Sequence, residues 1–278
     1  LGIIVAMIVT PLLVVSSPDS PRYGQGIDTM LMIYGVATFV LCVVSIAALR
    51  ERPAGTVVGA ETQPARFTAG LRQIFRQRDM VITIVLFFIG LGIFNAVSSM
   101  TDAISASIGV RDSNGLIGGL MLVGGVVGAV VLPGLSDHFR KRRLFLVICM
   151  AGMVPGVAGL AFAGRIAADP SAAYGIALAA SFVLGFFVMS AGPIGFQYAA
   201  EVSAPAPEST SQGILLLSGQ ITGLVFVAGM TVRSNRYLPG FMTAFALLSV
   251  LSLVGVLFLR ESPMIVTDAD RVKAGEKR

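Results

Sequence analysis

Long apolar runs alternate with short polar segments along the whole chain. Eight runs stand out: Gly2–Val15, Thr29–Leu49, Met80–Met100, Leu116–Leu135, Leu144–Phe162, Tyr174–Phe196, Ile214–Val232 and Phe241–Leu259. A helix rises about 1.5 Å per residue, so about 20 residues cross a hydrocarbon layer about 30 Å thick. All but the first run meet or approach that length, and none shows the strict alternation of a half-buried strand. The pattern predicts an all-α polytopic membrane protein with eight transmembrane helices.

The charges orient these helices. The turn between the fourth and fifth runs, Gly134–Arg143, carries Arg140, Lys141, Arg142 and Arg143 against one acid, Asp137. So basic a hairpin stays on the cytoplasmic side, because Lys and Arg resist translocation. With strict alternation from that point, fifteen of the twenty Lys and Arg residues fall on the inner side. The outer side keeps Arg22, Arg111, Arg165, Arg233 and Arg236. This bias supports eight crossings of the cell (plasma) membrane and a cytoplasmic C-terminus.

Composition excludes several functions. Of 278 residues, 55% are apolar and 13% charged, against about 25% charged in an ordinary soluble domain. A large soluble core is therefore ruled out. The net charge of +5 does not point to nucleic acid, because the cations sit in inner loops. Cys42 and Cys149 both lie inside apolar runs and form no metal-type or disulfide spacing. The sole histidine is His138, too little for a membrane enzyme site. No GxxxxGK[ST] phosphate loop exists, so this chain is not an ATP-driven pump. Neither enzymatic activity nor a cofactor or metal is expected.

The longest inner segment, Arg50–Asp79, has two parts. Pro53 to Pro64 is a linker rich in Gly, Pro and Thr. In Arg66–Arg78, Phe67, Leu71, Ile74 and Phe75 recur at helical spacing opposite arginines, which predicts an amphipathic helix lying on the anionic inner leaflet. The alternative is a solvated basic linker. There is also an echo. Leu49-Arg50-Glu51-Arg52-Pro53 follows the second run, and Leu259-Arg260-Glu261-Ser262-Pro263 follows the eighth, six runs later. A six-helix period is expected of a carrier with two homologous halves. The chain then reads as the later part of a longer protein, beginning at once with an apolar run at Leu1. On this reading, residues 1–49 end an N-terminal half and 50–79 form the cytoplasmic loop between halves. Residues 80–259 make the C-terminal six-helix half, and 260–278 a cytoplasmic tail.

Gly134-Leu135-Ser136-Asp137-His138-Phe139-Arg140-Lys141-Arg142-Arg143 resembles the signature loop of the major facilitator superfamily, in the weaker copy between helices eight and nine. The resemblance implies the major facilitator fold, with eight of twelve helices present. Gly134, Asp137, Arg140 and Arg143 become gating candidates. Asp137 can accept from the N-terminal amides of a neighbouring helix, and Arg140 can pair with an acid on an adjacent helix end. The motif's second Gly is replaced by Arg140 or Lys141, and its usual cation by His138. The alternative is a loop whose cations only set topology.

Glu201-Val202-Ser203-Ala204-Pro205-Ala206-Pro207-Glu208-Ser209-Thr210-Ser211-Gln212-Gly213 resembles the Glu-x-x-x-Pro-x-x-Glu-x-x-Ser-x-Gly signature of the feline leukaemia virus subgroup C receptor group. Gly92–Ser99 and Leu1–Val14 resemble that group's helices seven and five. The resemblance implies a cargo such as choline, a related amine or haem, and Glu201 and Glu208 as gating residues. It also places Gln220 at a cargo-facing position on helix eleven. Independently, a buried amide costs free energy unless bonded, so Gln220 is expected to face a cavity or a neighbouring helix. A bond between membrane helices is worth about 0.6 kcal/mol on average.

Asn95, Ser98 and Ser99 recur on one helix face, with Phe94 beside them as a cation–π candidate or as plain packing. The chain has no Trp, which a choline cage would favour. Pro193 in Gly192-Pro193-Ile194-Gly195 is expected to bend helix ten into a gate, with Gln197 or Tyr198 capping it. Gly124 and Gly128 form a GxxxG step for close helix packing. The acids Asp28, Asp102, Asp137, Glu201 and Glu208 lie at span ends, not deep inside. The sequence thus points to a monomeric, facilitative carrier of a small organic solute working by alternating access within the lipid bilayer. Two alternatives stand beside it: a receptor or scaffold that does not transport, and a proton-coupled exporter whose coupling residue lies in the absent helices.

Overall fold

Seven helices long and apolar enough to cross a membrane dominate the described residues of the computed structural model. Those residues are 9–10, 12–15, 21–22, 24–48, 67–112, 115–204 and 206–263, and the side chains of 67–69 are not among them. No strand occurs among the described residues. The chain divides into two compact units, residues 1–63 and 64–278.

In the first unit, helix α1 spans Ile27–Ala48 and buries none of its residues. It exposes Leu31, Phe39, Leu41 and Ile46, as expected of a helix solvated by lipid or by further helices. Residues 9, 10, 12 and 13 are helical, and the Thr10 and Tyr34 hydroxyls are hydrogen-bonded at 3.0 Å. Residues 2–8 and 11 of the Gly2–Val15 run lie outside the described residues. So do the first copy of the echo, the Pro53–Pro64 linker and the tail beyond Pro263.

The second unit holds α2 (Phe67–Arg76), α3 (Arg78–Ser99), α4 (Thr101–Ser107), α5 (Leu116–Phe139), α6 (Arg142–Ile166), α7 (Pro170–Ser203), α8 (Glu208–Asn235) and α9 (Leu238–Leu257). Six of these are span-length, and each apolar run from Met80 onward falls within one, apart from overlaps of a residue or two at the ends. The starts are locally encoded. Asp169 caps α7 by accepting from the Ala172 amide at 2.7 Å, and Pro170 occupies its first turn. Asp112 accepts from the Leu116 and Ile117 amides at 2.9 Å and so caps α5. It also takes the Tyr174 hydroxyl at 3.1 Å, which ties the start of α5 to that of α7.

Helix α7 is the hub. It packs on α5 and α6, while α3 packs on α8 and α6 on α9. Small residues allow this closeness. A methyl at Gly128 would lie 2.1 Å from the Phe186 carbonyl oxygen, and one at Gly185 1.8 Å from that of Met121. The GxxxG step of α5 therefore meets α7 backbone to backbone. With 34 residues, α7 is about 50 Å long at 1.5 Å per residue and outreaches a hydrocarbon layer of about 30 Å. It continues through Pro193, which is exposed. The regular part of α8 ends near Thr231, since Val232 leaves the helical region and Arg233 and Ser234 have φ of 51° and 55°.

Two expectations change. The basic hairpin is far tighter than its polar composition suggests. α5 continues through Asp137 to Phe139, and α6 begins at Arg142. Only Arg140 and Lys141 remain between them, with Arg140 left-handed at φ 53°. That position suits glycine, the residue the signature loop places in this region. Second, α2 does not offer its whole apolar face to lipid. Ile74 is fully buried among Met80, Ala199, Ala206 and Leu215. Gln73 donates to the Ser203 and Ala204 carbonyls at 3.4 and 3.3 Å, satisfying the end of α7. Phe75 remains exposed.

Candidate functional site

Two polar centres occur in the second unit. The first joins α3 to α8. Gly219 and Gly223 on α8 lie against α3, where methyls would sit 2.4 Å from Leu91 and 2.8 Å from Asn95. This step holds Gln220 beside Asn95, and the Asn95 amide donates to Gln220 Oε1 at 3.3 Å. Gln220 is nevertheless exposed and Asn95 half-buried. Ser98 is half-buried and donates to the Asn95 carbonyl at 3.1 Å, and Ser99 is exposed. Phe94 turns elsewhere, packing on the main apolar core. The spacing Gly219-x3-Gly223 is the signal in the sequence that couples Gln220 to Asn95.

The second centre gathers the C-terminal ends of α5 and α7, the start of α6 and the segment after α9. Glu201, buried in the last turn of α7, accepts from Arg142 Nη2 at 3.4 Å, Gln197 Nε2 at 3.2 Å and the Ser262 hydroxyl. Arg142, also buried, ion-pairs with Asp137 and donates to Ser136 Oγ at 3.4 Å. The echo residues after α9 complete the cluster. The Tyr198 hydroxyl donates to the Arg260 carbonyl at 2.8 Å, Glu261 accepts from the Arg143 amide at 3.0 Å, and Arg143 Nη2 donates to the Leu257 carbonyl at 2.7 Å. Buried charges survive only when paired and bonded in this manner.

This arrangement differs from the expected one in its central residue. The cation that bridges helices is Arg142, which composition could not separate from its three basic neighbours. Asp137 meets the Arg142 guanidinium rather than the amides of a neighbouring helix. Gln197 and Tyr198 both join the cluster. Gly134 lies inside α5, exposed, and a methyl placed there would meet only open space. Glu208 is exposed at the start of α8, and its carbonyl accepts from the Ser211 hydroxyl at 2.9 Å. Among the described residues, no cluster of His, Cys, Asp and Glu could hold a metal ion.

A small pocket of about 50 Å³ lies within the same bundle, lined by Phe87, Gly90 and Leu91 of α3, Met150 of α6, Gly192 of α7 and Val256 of α9 among others. Its walls are almost wholly apolar. Thr83 at its edge already donates to the Asp79 carbonyl at 2.8 Å.

Known proteins give these features a context. The family model described as Major Facilitator Superfamily matches residues 1–227. Solute carrier family 49 member A3 of Xenopus tropicalis is 30% identical over 233 residues, covering 82% of this chain and 46% of that protein. The choline/ethanolamine transporter flvcr2b of Danio rerio is 29% identical over 267 residues, covering 90% of this chain and 53% of that protein. The choline/ethanolamine transporter FLVCR1 of Felis catus is 27% identical over 252 residues, or 86% and 44%. The chain spans about half the length of these relatives.

Proposed function

The chain belongs to the Major Facilitator Superfamily, and on that premise we propose that this multi-pass membrane protein carries a small amine such as choline or ethanolamine by alternating access. The observation that carries the reading is the Asn95–Gln220 pair. Both side chains are amides inside apolar spans, yet Gln220 is left exposed by its own bundle with a single long bond. An amide so placed is costly in lipid, and the cost is relieved if the face borders a polar, water-filled cavity. There the pair could offer its remaining N–H and carbonyl groups to the hydroxyl or N–H of an amine. The relatives named as choline/ethanolamine transporters support that class of cargo.

The charged cluster belongs to a different task. It ties the inner ends of α5, α6 and α7 to the segment after α9, all within one bundle. On this reading it keeps the C-terminal half rigid as the halves rock, while the inner face and the C-terminus lie in the cytoplasm of a plasma-membrane protein. Transport is facilitative, since the acids of the spans lie at their ends. The test is a thermal-shift screen of the purified full-length protein against choline, ethanolamine, haem, sugars and organic anions, followed by proteoliposome uptake without an imposed gradient. Stabilisation by choline or ethanolamine with gradient-free uptake is expected. Stabilisation by sugars or anions alone would overturn the cargo, and uptake that requires a proton gradient would overturn the facilitative mode.

A further inference from the structure

We infer that the apolar pocket beside the polar pair is a side pocket for the alkyl substituent of the transported amine, so that the protein favours amines bearing an aliphatic chain. The inference rests on the amine reading above and adds the part of the cargo that reading leaves undefined. Phe87, Leu91 and Asn95 stand four residues apart on α3 and so form one strip along the helix. The first two line the pocket, and the third bonds Gln220. Leu91 also touches Gly219, the residue before Gln220. An amine held at the pair therefore has the pocket within one helical turn, about 6 Å along α3.

The pocket's chemistry fits such an occupant. Its volume of about 50 Å³ has room for a short alkyl chain, since a single water needs about 10–15 Å³ on the same measure. Water gains little there, because a buried water needs two to four polar partners and the walls supply almost none. Two glycines set the width. Nothing lies within 4 Å of a methyl placed at Gly192, and only Met153 Sδ, at 3.9 Å, approaches one at Gly90. Larger side chains at these positions would enter the open space without meeting backbone.

The test uses the full-length protein and a series of probes: choline, then its analogues with one N-methyl replaced by butyl, hexyl or octyl, each keeping the hydroxyl that the pair can bond. Affinity is read from ligand-dependent thermal shifts. The expected result is a gain of about fourfold per added methylene, the transfer free energy of a buried CH₂, up to the length the pocket holds. Gly192→Leu should flatten that gradient, and Gly90→Ala, the smaller change, should make it shallower. Gly175→Leu is the control for uptake of long chains by detergent or lipid. It adds the same bulk at another open position of α7, near its outer end, and should keep the wild-type gradient. If choline and its homologues all fail to bind, the amine reading itself falls. If choline binds but the gradient is flat, or is equally steep in Gly192→Leu and Gly90→Ala, the side pocket is overturned and the amine reading stands. A flat gradient with phospholipid co-purifying with wild type but not with Gly192→Leu would assign the pocket to a lipid tail and overturn the inference as well.

Discussion

Glu201 and Asn95 both put a polar group on a helix that packs against a neighbour, and the bundle treats them in opposite ways. Glu201 is only 5% exposed, and three side chains from α6, α7 and the segment after α9 donate to it. Asn95 is half-buried and meets Gln220, which is itself exposed. A charge sealed off and multiply bonded has no capacity left for a ligand. Losing one of its partners leaves an uncompensated buried charge. An amide pair joined by one long bond can exchange that bond for one to a solute at little cost. The charged cluster should therefore govern stability, and the amide pair should govern binding.

The sharpest way to break this contrast is Arg142→Leu. It leaves the buried Glu201 carboxylate with only the neutral donors Gln197 and Ser262, and unpairing a buried ion pair costs about 3–5 kcal/mol. The substitution should lower the thermal midpoint of the detergent-purified protein and reduce its yield. Pairing it with Glu201→Leu should restore much of the loss, because an apolar replacement of both partners is often neutral or stabilising. A double variant as unstable as the single one would show that the cluster's packing, not its charge, is what matters.

Asp137→Asn sharpens the same comparison from within the cluster. Arg142 has two acidic partners, and the contact with Asp137 is the closer. Exposure decides between them. The Asp137 side chain is 65% exposed and that of Glu201 only 4%, so solvent screens the first pair and the second is felt in full. Exposed ion pairs contribute about 0–1 kcal/mol. Asp137→Asn should leave the thermal midpoint within a degree or two of wild type, while the uptake rate falls more than the apparent cargo affinity. A large loss of stability would move the weight of the cluster from Glu201 to Asp137.

How much of this is legible in the sequence follows from which physics each feature obeys. The long helices are readable because span length and apolarity are properties of consecutive residues. The close approach of α5 to α7 is half readable: Gly124 and Gly128 announce it, but the partner Gly185 on α7 does not stand out in its run. The hairpin misleads, because Asp137, His138 and Phe139 are polar or aromatic yet continue α5 past the apolar run. Arg142 cannot be told from Arg140 and Arg143 by composition. Its burial depends on Glu201, 59 residues later. Ile74 behaves likewise: its place on an amphipathic face is plain, but not that the face meets Ala199 and Leu215 rather than lipid. The echo after α9 reads in the sequence as a repeat of helices, whereas its residues Arg260, Glu261 and Ser262 are local partners of α6 and α7.

Gln220→Ala has the smallest expected effect on stability and the most to say about transport. Removing the amide costs one interhelical bond, about 0.6 kcal/mol in membranes. Asn95 loses the Gln220 carbonyl as an acceptor but stays half-buried beside Gly223, where solvent or solute can reach it. Expression and thermal midpoint should thus stay close to wild type. If Gln220 bonds the cargo, the substitution also removes a contact worth about 0.5–1.5 kcal/mol, which raises KM for choline or ethanolamine roughly two- to tenfold. The split matters more than the size. A raised KM at normal surface expression places Gln220 in the binding site. An unchanged KM with a lowered midpoint would make Asn95–Gln220 a helix–helix bond and nothing more, and the two polar centres would then differ in strength rather than in purpose.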